Sequence, residues 1–357
     1  MPDESTLPWY KKKKFQVPLA AVIVLLFFSL FIMIVNYRFP GFFNLAVQPD
    51  GTALVEASSL EDPLKAPPRE WKKGLMTTDS LIAIGDGLFS NWLPNDKVWP
   101  TILLDNPQNF QLGALEMLRY TSRVMRDNLA RSGNTDKIDP DCDEAFILLS
   151  NDPLKWYFPS AESRFKGAMD KYRSYRSRLN SGEASFVPRD DNLSELLHQY
   201  VSLLGAINTR LANAPRHQRL KGGQSALAKA PDTEAAPVGT EAPADGPAES
   251  GGEGQYVPWN KIDDNFYYAQ GAAYVVRQMM VAVKHDFSEV LGNRNAAAQV
   301  DYIIEVLNQT QFEPAFVLNG DVGSLMANHS MELHSLLENA RQRIRNLNEM
   351  ITINRRS

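Results

Sequence analysis

The sequence predicts an all-α protein in which one N-terminal transmembrane helix precedes a helical bundle that a disordered loop interrupts. Three observations lead to this prediction. The segment from Phe15 to Tyr37 holds 23 residues without a charge. Beyond it, apolar residues recur at three- and four-residue intervals in several long stretches, which is the helical period. Between these stretches, residues 213–258 are rich in Ala, Pro, Gly and Glu.

Residues 15–37 are predicted to cross a membrane as a helix, since about 20 apolar residues span the hydrocarbon core. A cleaved signal peptide is disfavoured, because the apolar core is about twice the usual length and no small-residue cleavage site follows it. The positive-inside rule places residues 1–14 in the cytoplasm and the rest of the chain across the membrane. The charges that decide this orientation are Lys11, Lys12, Lys13 and Lys14.

The composition excludes several classes of function. The net charge is −5, and outside the lysine cluster no dense basic block offers a surface for nucleic acid. Cys142 is the single cysteine, which excludes an internal disulfide and a cysteine-based zinc site. We expect a spectator thiol at Cys142, with an intermolecular or reactive thiol as the alternatives.

The order of segments after the anchor follows from changes in composition. Residues 38–70 contain prolines, small residues and scattered charges, and we interpret them as a stalk. Helical patterns then occupy residues 71–212 and 259–357. The disordered linker at 213–258 cannot bury enough apolar surface to offset the entropy of ordering. It either joins two domains or is an insertion in one helical domain, and helical patterns on both sides favour the insertion.

In the first half, four helices are predicted from their caps and apolar stripes. Thr78 or Asp79 caps the first, the second begins near Pro107, Ser160 opens the third, and Asp190 or Asp191 caps the fourth. An arginine-rich face on the second helix is interpreted as solvated and paired with local acids; it comprises Arg119, Arg123, Arg126 and Arg131. We expect residues 156–159, Trp-Tyr-Phe-Pro, to plug the core.

In the second half, a long helix is predicted from Ile262 to Leu291, and Asn295 is expected to cap the next one. The last helix is predicted from about Ser324. It carries a heptad seam, which indicates lengthwise packing on another helix, inside the bundle or across a dimer, with the former favoured. The seam residues are Leu333, Leu337, Ala340, Ile344, Leu347 and Ile351.

Searching the sequence for chemistry yields no catalytic, metal or cofactor motif. A Gly-rich phosphate loop, HExxH, GxSxG and CxxC are all missing. Asp139, Asp141 and Asp143 alternate like the opening of a calcium loop, but Ser150 stands where the closing glutamate belongs. A capped polar loop is therefore the favoured interpretation. Asp263 is interpreted as a helix N-cap.

Five motifs occur in an order that resembles a family of Gram-negative bacterial proteins with an N-terminal membrane anchor, known by a domain-of-unknown-function label. The similarity covers about residues 71–212 and 256–350. It implies a bacterial inner membrane and a periplasmic domain, and it transfers no catalytic residue. The motifs are Thr77-Thr78-Asp79-Ser80-Leu81; Leu104-Asp105-Asn106; Pro159-Ser160-x-Glu162-Ser163; Trp259-x-Lys261-Ile262-Asp263-Asp264; and Leu318-Asn319-Gly320 with Ala327-Asn328-His329-Ser330.

Two functional hypotheses follow. The first is a non-enzymatic protein of the inner membrane that binds an envelope protein or itself, as a scaffold, without a cofactor. The second is an envelope glycan- or lipid-acting enzyme or binder with a polar cleft. Convergence of the polar motif residues would favour the second hypothesis, and dispersal at helix ends would favour the first. These candidate residues are Asp79, Asp105, Asn106, Asp263, Asn319, Asn328 and His329.

Overall fold

In the computed structural model, the described residues are 20–30, 72–96, 105–131, 137–213, 261–312, 314, 317–318 and 327–352. They form helices joined by turns, and none of these described residues belongs to a β-strand. The prediction of an all-α fold is therefore confirmed.

The helices of the body are numbered α1 to α9 in chain order. Their bounds are α1 Leu75–Ser90, α2 Asp105–Val124, α3 Pro140–Leu149, α4 Ala161–Ser181, α5 Asp190–Asn213, α6 Ile262–Asp286, α7 Ser288–Asn293, α8 Ala297–Gln309 and α9 His329–Thr352. A π-helix, Met125–Leu129, continues α2 directly.

Part of the predicted membrane segment is described, as a helix at residues 20–30 whose large apolar side chains are exposed. No helix formed by the described residues is long and apolar enough to cross a membrane. The rest of that segment lies outside the described residues, together with the predicted cytoplasmic tail, the stalk and positions 214–258 of the linker.

Helices from both sides of the linker share one hydrophobic core, at whose centre α2 crosses α6. The crossing depends on glycine. A Cβ atom on Gly113 would lie 1.9 Å from the carbonyl oxygen of Tyr268, and one on Gly271 would lie 2.0 Å from that of Phe110. The two backbones are therefore in direct contact, which a side chain larger than hydrogen would prevent.

The second lengthwise contact joins α9 to α5, and α9 also packs against α8. All six residues of the heptad seam are buried there. The seam thus packs inside the bundle, as favoured from the sequence, because its apolar stripe follows the axis of a neighbouring helix. The start of α9 differs from the prediction: it begins at His329 instead of Ser324.

The first helix begins differently from the prediction. Thr78 and Asp79 do not cap α1, which begins at Leu75 after Gly74, a residue with φ of 89°. The cap comes from the C-terminal end of α6 instead. The buried carboxylate of Asp286 accepts hydrogen bonds from the Thr77 backbone N–H at 2.7 Å and the Thr77 hydroxyl at 2.6 Å. A carboxylate at this position also interacts favourably with the helix dipole.

Three other predicted helix boundaries are wrong. The helix that begins at Ile262 ends at Asp286, and α7 follows as a separate helix. Asn295 adopts φ of 50° and precedes α8, whose N-cap position is Ala296 without a side-chain hydrogen bond. Asp263 lies in the first turn of α6, after Lys261 at the N-cap.

Candidate functional site

The candidate polar residues occupy three separate places in the described part of the chain. Asp79 lies on α1, Asn328 and His329 lie at the start of α9, and three others lie where α2 and α6 begin. Asn319 lies outside the described residues. The structure therefore does not gather the whole set around one cleft.

Asp79 forms an ion pair between helices. Both of its carboxylate oxygens accept hydrogen bonds from Arg176 on α4, one from Nε and one from Nη2 at 2.9 Å. These bonds raise the pKa of the Arg176 guanidinium. A bidentate pair of this kind fixes the register of two helices, so Asp79 ties α1 to α4.

Asn328 and His329 anchor the start of α9. The Asn328 side-chain oxygen accepts a hydrogen bond from the Met331 backbone N–H at 3.0 Å, as an N-cap does. The Nδ1 atom of His329 accepts one from the Leu318 backbone N–H at 3.0 Å. The His329 backbone N–H in turn donates to the Leu318 carbonyl at 2.9 Å. The Asn328 side chain thus caps the helix, and the His329 side chain holds the segment at Leu318 against it.

Asp105, Asn106 and Asp263 do converge, because the packing of α2 on α6 places their first turns side by side. Asn109 links the two turns: its Nδ2 donates to Asp264 Oδ1 at 2.8 Å and to the Asp105 carbonyl at 3.0 Å. We call Asp105, Asp263 and Asp264 the carboxylate cluster. Neither Asn109 nor Asp264 is among the candidate residues predicted from the sequence, although the Asp263-Asp264 pair is a visible signal for acid–base chemistry if the fold brings it to a cleft.

Burial and the repulsion between neighbouring carboxylates raise the pKa values of Asp263 and Asp264. Burial, together with the charges of Asp263 and Asp105, raises the pKa of Asp264 to about 6. Burial and the charge of Asp105 also raise the pKa of Asp263. A carboxyl group that titrates near neutrality is suited to proton transfer or to a hydrogen bond with a polar ligand.

Two of the alternating aspartates that resemble the opening of a calcium loop instead bind an arginine, and one of these two caps α3. Asp139 caps α3, accepting from the backbone N–H groups of Asp141 and Cys142 at 3.0 and 3.3 Å. Arg178 on α4 donates to both aspartates, at 2.7 Å to Asp139 and 2.5 Å to Asp141. A guanidinium thus balances these carboxylates. The prediction of a capped polar loop is wrong for Asp141 and Asp143, because Asp139 is the N-cap of a helix and the two later aspartates lie in its first turn. Within the residues the structure describes, no group of three or more His, Cys, Asp or Glu side chains is arranged to hold a metal ion.

The arginine-rich face of α2 is paired locally, as the sequence analysis favoured. Arg126 donates to Asp127 at 2.7 Å, and Arg119 donates to the carbonyls of Leu149 and Asn151 at 2.7 and 2.6 Å. These contacts use the guanidinium donors for packing α2 against the end of α3. Hence this face offers no concentrated site for an anion.

Cys142 is fully buried on α3. Burial, with the nearby charge of Asp139, raises the pKa of its thiol. A protonated, inaccessible thiol is chemically inert, which fits the expected spectator role.

An open groove lies between the start of α5 and α7. Residues 188–191, Glu289, Val290 and Asn293 line it. None of the candidate polar residues contributes to its wall, so the groove gives no support to the predicted cleft.

The prediction for residues 156–159 is wrong, because this segment points outward instead of plugging the core. Trp156, Tyr157 and Phe158 are 70, 59 and 91 % exposed, and Leu154 is 36 % exposed. We call residues 154–158 the aromatic turn. Trp92 fills the core position instead, and its ring contacts Phe165 at a centroid distance of 5.2 Å.

The backbone of the aromatic turn is fastened to the body by three hydrogen bonds. Trp92 Nε1 donates to the Pro153 carbonyl at 2.9 Å. Asn95 Nδ2 and the Ala161 backbone N–H both donate to the Lys155 carbonyl, at 3.1 and 2.9 Å. The backbone of the turn is therefore held in place while its aromatic side chains remain exposed.

Comparison with known proteins gives one match. A family model described as uncharacterized protein conserved in bacteria (DUF2333) matches residues 11–353. No curated protein and no solved structure matches the chain.

Proposed function

The chain belongs to the DUF2333 family of proteins conserved in bacteria, and from this premise we propose that it is a non-enzymatic, membrane-anchored interaction protein of the cell envelope. In this proposal residues 15–37 anchor it in the inner membrane, and the helical body lies in the periplasm as a scaffold for an envelope protein or for a second copy. The proposed partners are therefore lipid and protein, and no cofactor is required.

The anchor is supported by the sequence of residues 15–37 and by the exposure of the part that the structure describes. Several large side chains at residues 20–30 are more than half exposed, among them Val24 and Phe27, while the body buries its apolar stripes. An uncharged segment of this kind is stable in lipid. The orientation is supported by the four lysines that precede it.

The observation that carries the non-enzymatic role is the use of the candidate polar residues as structural ties. Asp79 is paired with Arg176, Asn328 caps α9, and His329 binds the backbone of Leu318. A group engaged in such contacts inside a helical body is not available to bind a substrate. The helical body would then interact with its partners through its outer surface.

Topology is tested with two reporters fused to the C-terminus in a Gram-negative host. Alkaline phosphatase, which needs an oxidising compartment, should be active there, whereas a fluorescent protein that folds only in the cytoplasm should be dark. Replacing the four lysines at 11–14 by glutamine is the matched control and should weaken this bias. A fluorescent reporter together with an inactive phosphatase would overturn the proposed location.

The interaction role is tested by crosslinking in intact cells through a C-terminal affinity tag, followed by mass spectrometry. The expected result is that one envelope protein, or a second copy of the chain, is recovered in a constant ratio to the tagged chain. An Arg176→Ala variant, which removes the tie between α1 and α4, should lower this recovery. Recovery of cytoplasmic proteins alone would contradict the proposal.

The carboxylate cluster favours a second candidate function, a binder of envelope glycan or lipid headgroups or an enzyme acting on them. The supporting observation is that burial raises the pKa of Asp264 to about 6 beside two other carboxylates. Sedimentation of the chain with purified cell-wall sacculi tests it, with Asp264→Asn and Asp263→Asn compared against Asp170→Asn on the exposed face of α4. Binding that only the cluster variants lose would favour this candidate over the scaffold.

A further inference from the structure

The aromatic turn is the largest exposed aromatic feature of the described body. Its four apolar side chains, Leu154, Trp156, Tyr157 and Phe158, lie within five consecutive residues and are all exposed. The rings of Trp156 and Tyr157 contact each other edge to face at a centroid distance of 6.2 Å. Contiguous apolar surface of this kind marks a site of interaction with a partner or a membrane.

The size of the surface favours lipid over protein. At about 150–250 Å² for a whole aromatic side chain, the exposed fractions of the three rings leave roughly 330–550 Å² in water. A stable interface between two proteins buries about 800 Å² on each side. The turn is thus too small to hold a protein partner by itself, but a few side chains suffice for insertion into a bilayer, because the anchor would already supply the attachment.

The chemistry of the turn also fits the interfacial layer of a bilayer. Trp and Tyr concentrate at the level of the lipid headgroups, because their rings are apolar and each carries one polar group. The Lys155 ammonium lies 4.8 Å from the centre of the Tyr157 ring, where it can extend toward lipid phosphates. The nearby carboxylate of Asp152 faces the chain instead and accepts from the Leu154 backbone N–H at 2.8 Å.

The covalent chain permits this contact. Residues 31–71 connect the helix at 20–30 to the body, and a segment of that length reaches at most about 140 Å. The body can therefore meet the same membrane in which the anchor lies.

We infer that the aromatic turn inserts into the headgroup layer of a phospholipid bilayer and fixes the orientation of the helical body on the membrane surface. This inference rests on the proposed membrane anchoring and adds a second point of contact to it. Two points of attachment restrict the rotation of the body, so that the opposite face is presented to partners.

The test uses the full chain reconstituted into vesicles of phosphatidylethanolamine and phosphatidylglycerol. A Phe158→Cys variant is labelled with the fluorophore NBD, and nitroxide-labelled phospholipids serve as quenchers. Buried Cys142 stays unlabelled, which the wild-type chain verifies. Ser177→Cys is the matched control, because it is exposed on α4 and lies about 24 Å along the helix from Ala161.

We expect nitroxide lipids to quench about half of the emission at position 158, since interfacial side chains lie roughly 5–10 Å inside the bilayer surface. The Ser177→Cys probe should be unaffected, and adding Trp156→Ser and Tyr157→Ser to the Phe158→Cys chain should reduce the quenching. Flotation of the vesicles is measured on every sample. It reports whether the chain is attached to the membrane at all, and so tests the proposed anchor separately from the insertion of the aromatic turn.

The outcomes are distinct. A chain that does not float with the vesicles overturns the anchor, and the inference with it. A chain that floats while the position 158 probe remains as unquenched as the control overturns the inference alone. Energy transfer between probes on two chains, without lipid quenching, also overturns it and assigns the turn to contact between copies.

Discussion

The contact between α2 and α6 predicts that Gly113→Ala destabilises the protein, although alanine is the better helix former. The new Cβ would lie 1.9 Å from the Tyr268 carbonyl oxygen, whereas carbon and oxygen approach no closer than about 3.3 Å. Because the obstacle is backbone, no rotation of a side chain relieves the clash, and the helices must separate.

The size of the effect follows from two opposed contributions. Overpacking a core costs up to about 3 kcal/mol, and a clash with backbone belongs at that upper end. Replacing glycine by alanine in a helix returns about 1 kcal/mol of propensity. The net expectation is a loss of about 2 kcal/mol in the free energy of unfolding, and Gly271→Ala should lose a similar amount.

Chemical denaturation of the full chain in detergent, followed by circular dichroism, measures the change. Gly167→Ala on α4 is the matched control, because its nearest neighbour, the Leu148 Cδ1 atom, lies at 3.5 Å, an ordinary contact. The control should be as stable as the wild type or gain up to about 1 kcal/mol. If Gly113→Ala is as stable as the control, the two halves of the chain do not share the contact described here.

Three further predictions concern buried or partly buried polar groups. Asp286→Ala should lower the free energy of unfolding in urea by about 3 kcal/mol, because Thr77 loses the acceptor of two hydrogen bonds. Asp286→Asn keeps an oxygen at this position and should lower it by less than about 1 kcal/mol. Equal losses in the two variants would contradict the capping role. The pKa of Asp264 is about 6 when folded against 3.8 ordinarily, so the folded state binds the proton more tightly and stability should fall as pH rises between these values. Asp264→Asn should flatten this slope and, allowing for partial exposure, stabilise the chain by about 1 kcal/mol at pH 7; an unchanged pH profile would refute this. Cys142 should resist maleimide in the native chain and react in urea, since burial raises the pKa of its thiol; rapid native labelling would show that α3 opens.

The helices were largely predictable, because an amphipathic stripe is a local signal. The stripe of α9 is buried at every position of the seam, and Ser160 accepts from the Ser163 backbone N–H as the cap of α4. The predicted cap of α1 is wrong because its partner comes from a distant part of the chain. The carboxylate that caps α1 belongs to Asp286, which lies more than 200 residues later in the chain. No local sequence pattern predicts this contact.

The candidate site was predictable only in part, for the same reason. The Asp263-Asp264 pair is visible in the sequence, but the raised pKa of Asp264 depends on burial and on the charges of Asp263 and of Asp105 at the start of α2. Residues 156–159 were assigned to the core because aromatic residues usually are buried. In the structure Trp92 and Phe165 pack against each other in the core, whereas the side chains of the turn are exposed.

The helical class and the positions of most helices can be predicted from the sequence alone, because these depend on spacing within a few turns. The sequence also predicts the anchor and its orientation, which depend on apolar length and flanking charge. Which helices pack together is known only from the three-dimensional structure, since glycine permits the close approach of α2 to α6 but does not specify which helix approaches. The structure alone separated the polar residues that tie helices together from the carboxylate cluster, because burial and neighbouring charge are properties of packing in space.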